Sequence, residues 1–131
     1  MFATVILAAA LSGLPAPITG DFDFDGRPDL AAFVQTPGGG QEIIIRRGAA
    51  GHPSVVVERY DPPGVNDPFL DTAKSGRFET WCGKGGGSDD EPCARTFVDL
   101  RGGELMFGNK EASASVVIWT GEAFDAVLIS D

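Results

Sequence analysis

Short apolar runs alternate with turn-forming residues along most of this chain. Eight runs are rich in β-branched and aromatic side chains, and glycine, proline and asparagine separate them. They cover residues 29–35, 42–47, 54–60, 77–81, 95–100, 104–107, 115–120 and 123–130. The last two runs, joined around Gly121 and Glu122, predict a terminal hairpin.

Helical periodicity is nearly absent from this pattern. After the N-terminal segment, no long window keeps apolar residues at i, i+3, i+4 and i+7, and only residues 69–76 suggest a single helical turn. The sequence therefore predicts an all-β domain of about eight short strands in antiparallel meanders and hairpins. Small sandwich or partial propeller-like sheets are the expected forms, because no internal repeat supplies the roughly four blades of a full propeller.

Length and charge restrict the class of protein further. The chain has 131 residues, which suits one domain, and 43% of them are hydrophobic, which suits a folded core. Its net charge is −9 and its pI about 4.4. A chain this acidic repels nucleic acid phosphates and anionic membrane surfaces. Calcium or other cations, and cationic proteins, are the expected partners.

Two cysteines, Cys82 and Cys93, flank a glycine-rich acidic stretch, "GKGGGSDDEP". A disulfide between them would constrain a loop that has few side chains to pack, and it is the favoured interpretation if the protein is exported. Two free thiols are the alternative. The single histidine, His52, cannot complete a standard zinc site with them.

The N-terminal residues 1–16 predict a signal peptide. Residues 3–11 are apolar but too few to span a bilayer, and small residues follow them. No lysine or arginine precedes the apolar run, so an N-terminal strand over "ATVILA" is the alternative. With the cysteine pair, this segment predicts a periplasmic or secreted protein whose domain covers residues 17–131, without membrane insertion once the leader is removed.

The stretch "DFDFDGRPD", residues 21–29, carries the clearest chemical signal. It fits the pattern D-x-D-x-D-G-x-x-D, and its glycine permits the sharp turn that brings alternate carboxylates to one point. Calcium takes six to eight oxygen ligands, which makes it a better match than magnesium with its strict octahedral geometry. The alternative is a solvated acidic turn. The predicted ligands are Asp21, Asp23, Asp25, the backbone oxygen of Arg27, and Asp29.

The loop differs from an EF-hand. Its twelfth position is Ala32, where an EF-hand has a bidentate glutamate, and a predicted strand follows it instead of a helix. The stretch "GDFDFDGRPDLAAF" resembles the FG-GAP or VCBS-type repeats of integrin-like β-propellers, which carry a GDFNGDGxxDL loop. Phe24 departs from that pattern, which commonly has glycine there. The resemblance covers about 15 residues and implies a structural calcium ion.

The C-terminal half has a looser resemblance to small exported bacterial proteins of unassigned function. These proteins have one aspartate loop, a cysteine pair and a "W-x-G-x-x-F…SD" ending, which Trp119, Phe124, Ser130 and Asp131 match here. The group implies no established activity.

Signals for catalysis are weak throughout the sequence. His52 has no nucleophile motif around it, and "GKGGGS" lacks the spacing of a phosphate loop. We therefore expect a non-catalytic, calcium-binding exported domain. The alternative is a periplasmic inhibitor or immunity protein that presents the acidic residues 89–91 to a basic secreted hydrolase such as a lysozyme. If these acidic residues have no partner, they form an ordinary solvated loop.

Overall fold

The computed structural model describes residues 13–131, which form ten β-strands and no helix. The all-β prediction is confirmed, with ten strands instead of about eight. The strands are β1 (Ile18–Gly20), β2 (Asp29–Gln35), β3 (Gln41–Arg46), β4 (Val55–Tyr60), β5 (Pro68–Thr72), β6 (Gly76–Glu79), β7 (Phe97–Leu100), β8 (Leu105–Asn109), β9 (Ser113–Trp119) and β10 (Phe124–Ser130).

The strands form two four-stranded antiparallel sheets and a two-stranded ribbon. The first sheet has the order β1-β2-β3-β4, and the second has the order β10-β9-β8-β5. The ribbon pairs β6 with β7. At the two edges, β1 lies near β5 and β4 lies near β10. The arrangement is an open sandwich that closes into neither a barrel nor a propeller.

Two strands were not expected from the sequence. The predicted helical turn over residues 69–76 is wrong, because Pro68–Thr72 is β5 and pairs in register with Leu105–Asn109 of β8. Among residues 13–131, its only sheet neighbour is β8, and proline is tolerated at the start of such an edge strand. The other addition, β1, is only three residues long and is defined by its pairing with β2.

The main core lies between the two four-stranded sheets. The first sheet contributes Phe33, Ile43 and Ile45, and the second contributes Leu105, Phe107 and Val117. Successive side chains along a strand point to opposite faces, so every second residue points into the core. In β3, buried residues alternate with partly buried or exposed ones. Burial of these apolar surfaces is the main force that holds the two sheets together.

A second, smaller core lies on the opposite face of the second sheet. There the ribbon covers Val116 with Val98 and Leu100 of β7, while Met106 and Ile129 are only partly buried. The outer side of the ribbon carries an exposed ion pair between Arg77 and Asp99. The described residues therefore form three layers, and the ribbon is the smallest of them because it has only two strands.

The predicted disulfide is present between Cys82 and Cys93. The loop that it closes is better packed than its composition suggests. The Trp81 ring lies against Gly86, where a Cβ atom would come within 2.1 Å of the ring. The buried Thr80 hydroxyl accepts the Gly83 N–H at 3.0 Å and donates to the Arg95 carbonyl. The start and the end of the loop are thus tied together beside the disulfide.

The signal-peptide prediction falls mostly on residues 1–12, which lie outside the described residues. Within the predicted 1–16 segment, Leu14 is 7% exposed and packs in the main core. Among residues 13–131, no helix has the length and apolar character needed to cross a membrane.

Candidate metal site

The aspartate-rich stretch forms the connection between β1 and β2. Gly20, the last residue of β1, pairs with Asp29, the first residue of β2, so residues 21–28 form the loop of an antiparallel hairpin. Phe22 points from this loop into the main core and is 1% exposed. Its ring lies so close to Gly20 that a Cβ atom there would come within 2.8 Å of it.

Three of the four aspartates converge in this loop. Asp21, Asp23 and Asp29 each present a carboxylate oxygen, and these three atoms lie within 4.8 Å of one another. Two oxygens that bind the same calcium ion are at most about 5 Å apart, which is twice the usual calcium–oxygen distance. The spacing therefore allows all three carboxylates to bind one ion.

Backbone N–H groups fix the orientation of two of these carboxylates. Asp21 accepts the N–H groups of Asp25 at 3.0 Å and Gly26 at 2.7 Å. Asp29 accepts Phe22 N–H at 2.9 Å and, from the segment after β3, Gly48 N–H at 2.7 Å. Each carboxylate oxygen can accept more than one interaction, so these bonds orient the groups and leave lone pairs for a cation.

Asp23 is held from the side by Arg47. The Nε atom of Arg47 donates to Asp23 Oδ2 at 2.7 Å. Asp23 is 4% exposed, and its other oxygen, Oδ1, is buried and has no hydrogen-bond partner among the described residues. Buried polar atoms are normally paired, so this oxygen is the strongest structural indication of a ligand at the loop.

Burial and neighbouring charge change the acidity of two of these groups in opposite directions. Burial raises the pKa of the Asp23 carboxyl, but its side-chain hydrogen bonds, first of all the one with Arg47, act together with the positive charge of Arg47 and hold the pKa below its usual value. Burial also raises the pKa of the Asp29 carboxyl. The hydrogen bond from Gly48 N–H lowers this pKa, but the negative charge of Asp23 raises it further, and the pKa stays above its usual value. The two carboxyls are close enough to influence each other.

The remaining predicted ligands lie on the exposed side of the loop. Asp25 is outside the group of three converging carboxylates, and its Oδ1 accepts the Arg27 N–H at 2.8 Å. Metal binding by Asp25 and by the Arg27 carbonyl stays a prediction. Phe24 has φ 55°, a left-handed conformation that favours glycine, and its ring lies 4.6 Å from the guanidinium carbon of Arg101.

The residue set suits a hard cation. Three carboxylates, one of which has an unpaired buried oxygen, are the oxygen donors that calcium prefers, and the described part of the loop offers no nitrogen or sulfur ligand. The tight turn places Gly26 at φ 86°, where a side chain would be strained. Calcium fits this loop on both donor type and spacing.

Sequence reasoning missed Arg47 and Gly48, which support the loop from outside it. Both follow β3 directly, and the β2–β3 hairpin pairs Leu30 with Arg46. This pairing places the residues after β3 beside the residues before β2, and the two predicted strands indicate such a hairpin without fixing its register. His52, which has no nucleophile motif around it in the sequence, accepts a hydrogen bond from Arg47 Nη1 on its Nδ1 at 2.9 Å.

Comparison with protein-family models, with curated proteins and with solved structures finds no match for this chain.

Proposed function

We propose that this protein is a non-catalytic, exported β-sandwich domain in which a calcium ion at the β1–β2 loop stabilises the fold. The observation that supports this proposal best is the buried, unpaired Oδ1 of Asp23 beside the Asp21 and Asp29 carboxylates. A divalent cation would satisfy that oxygen and offset the repulsion among the three carboxylates.

A structural role follows from the position of the loop in the fold. Phe22 anchors the loop in the main core, and Asp29 begins β2, which lies between β1 and β3 in the first sheet. An ion that holds Asp21 and Asp29 together therefore also holds the two ends of the hairpin loop. The carboxylates of both residues bind backbone N–H groups, which is an arrangement suited to fixing a loop.

Thermal unfolding with calcium and with EDTA tests this proposal. Ligand linkage predicts about 2.7 kcal/mol of stabilisation at a hundredfold excess over the dissociation constant. The Asp21→Asn variant should lose most of the calcium-induced rise in Tm. Asp71→Asn, which removes the same charge from an exposed position in β5, should keep it. Magnesium at the same concentration should stabilise less.

The absence of any Tm change in the wild-type protein would reject calcium binding, provided that calcium reaches concentrations on the order of 10 mM. That concentration exceeds the dissociation constants of weak extracellular calcium modules, which are about 0.1–1 mM. Equal responses of the Asp21→Asn and Asp71→Asn variants would show that any bound calcium is elsewhere.

A second candidate function is inhibition of a basic secreted hydrolase such as a lysozyme. The observation that favours it is the disulfide loop, which lines a pocket with a volume of about 360 Å³. Asp89 and Glu91 are among the residues of this lining. Both acids are exposed, and neither forms an ion pair within the described part of the chain. Pull-down of basic hydrolases at low and high salt tests this function, and a lack of capture at low salt would reject it.

A further inference from the structure

Arg47 connects the metal loop to the opposite sheet. Its Nε atom binds Asp23, its Nη1 atom donates to His52, and its guanidinium carbon lies 4.9 Å from the centre of the Trp119 ring. Trp119 is the last residue of β9 and packs against Phe124 of β10, with 4.8 Å between ring centroids. The guanidinium is therefore fixed on three sides, and its side chain is only 16% exposed.

This fixed position makes Arg47 a permanent part of the charge at the loop. Asp21, Asp23 and Asp29 together carry three negative charges, and Arg47 supplies one positive charge, which leaves two negative charges to be neutralised. The other two charged residues of the loop, Asp25 and Arg27, are exposed and opposite in sign. A divalent cation neutralises the remaining charge, whereas a trivalent cation would exceed it.

We propose that Arg47 is the internal counter-ion of this site and that it sets both the affinity of the loop and its preference for divalent over trivalent cations. The inference rests on the proposed function, because it concerns the ion that the same three carboxylates bind. In the ion-free protein, Arg47 stabilises the buried Asp23 carboxylate. In the loaded protein, its positive charge opposes the bound cation and so weakens binding.

Three single variants separate the charge of Arg47 from its shape. Arg47→Met removes the charge and keeps an apolar side chain against Trp119. Arg47→Lys keeps the charge but loses the planar fork that joins Asp23 to His52. Arg46→Met is the matched control, because it removes the same charge from the neighbouring exposed residue of β3.

Calcium titration, followed by isothermal calorimetry, gives the first result. Even in water-like surroundings, a unit charge within about 5 Å of a divalent ion changes its affinity by about tenfold, and partial burial strengthens the effect. Arg47→Met should therefore bind calcium at least about tenfold more tightly than the wild-type protein and should have a lower Tm in EDTA. Arg47→Lys and Arg46→Met should stay within about threefold of the wild-type dissociation constant.

Terbium(III) titration gives the second result. Coulomb energy is proportional to ionic charge, so the logarithm of the affinity gain should be about 1.5 times larger for the trivalent ion. If calcium tightens tenfold in Arg47→Met, terbium should tighten about thirtyfold. The ratio of the two affinities therefore shifts toward the trivalent ion only when the charge of Arg47 is removed.

The outcomes distinguish this inference from the proposed function. A wild-type protein that binds no calcium overturns both. A wild-type protein that binds calcium, together with an Arg47→Met variant that binds it equally or more weakly, overturns the inference and leaves the calcium site standing. If Arg47→Met does not fold in EDTA, Arg47→Lys decides the question, because a change larger than about threefold in its calcium affinity also overturns the inference.

Discussion

Two phenylalanines in the metal loop should differ strongly in what they contribute to stability. Phe22 is 1% exposed and belongs to the main core, whereas Phe24 is half-buried and rests mainly against the guanidinium of Arg101. The Phe22→Ala and Phe24→Ala substitutions remove the same ring from positions two residues apart. Their comparison therefore tests whether the loop is anchored through the core.

The structure sets the expected magnitude for each variant. Loss of the buried Phe22 ring removes a transfer free energy of about 1.5–3 kcal/mol, and the cavity adds on the order of 1–2 kcal/mol. Phe22→Ala should therefore lower the free energy of unfolding by about 4 kcal/mol. Phe24→Ala should cost about 1 kcal/mol or less, because an exposed cation–π contact contributes about 0.5–1 kcal/mol.

Urea denaturation in EDTA, followed by circular dichroism, measures both values without any contribution from a bound ion. At about 4 °C per kcal/mol, the Tm of Phe22→Ala should fall by about 15 °C, and that of Phe24→Ala by no more than a few degrees. The anchoring argument would be refuted if Phe22→Ala cost less than about 1.5 kcal/mol, or if Phe24→Ala cost more than Phe22→Ala.

Two other regions of the molecule give further predictions. Replacing both Cys82 and Cys93 with alanine should lower the free energy of unfolding, measured by urea denaturation, by about 3 kcal/mol, because the disulfide closes a loop in the unfolded chain and so reduces its entropy. A loss below about 1 kcal/mol would contradict this prediction. Burial, together with the negative charge of Glu58, raises the pKa of Tyr60 to about 12. Because the folded state keeps this proton longer than the unfolded state, stability should fall as the pH rises from about 10 toward 12. Tyr60 is the only tyrosine, so near-ultraviolet absorbance reports its ionisation directly, and a titration near pH 10 in the folded protein would contradict the assignment.

Strands with strong local patterns could be predicted from the sequence. Residues 29–35, an apolar run bounded by turn residues, form β2 with the predicted bounds, and the terminal hairpin of β9 and β10 is also confirmed. The β5 strand could not be predicted, because Pro68–Thr72 has no clear alternation and is held extended by β8. Local signals identify strands where β-branched or aromatic residues stand between turn residues, whereas the extended form of β5 depends on its neighbour β8.

The candidate site was predictable only in part, for a similar reason. The spacing of the aspartates predicts which carboxylates can converge, and Asp21, Asp23 and Asp29 do converge. The spacing contains no information about Arg47, which is 24 residues away from Asp23 in sequence and reaches it through the β2–β3 hairpin. The net charge of the site therefore depends on tertiary structure, and motif matching alone gives it incorrectly.

The ribbon of β6 and β7 has a consequence for how the molecule opens. All four residues of β6 are exposed, and the main core contains no residue of the ribbon. The ribbon can therefore detach in a local unfolding event that exposes the small core around Val98 and Leu100 while the sandwich stays closed. Amide protons of the ribbon should then exchange with solvent through a lower free-energy opening than those of β3, which is the behaviour expected of a domain with two cooperative units of unequal stability.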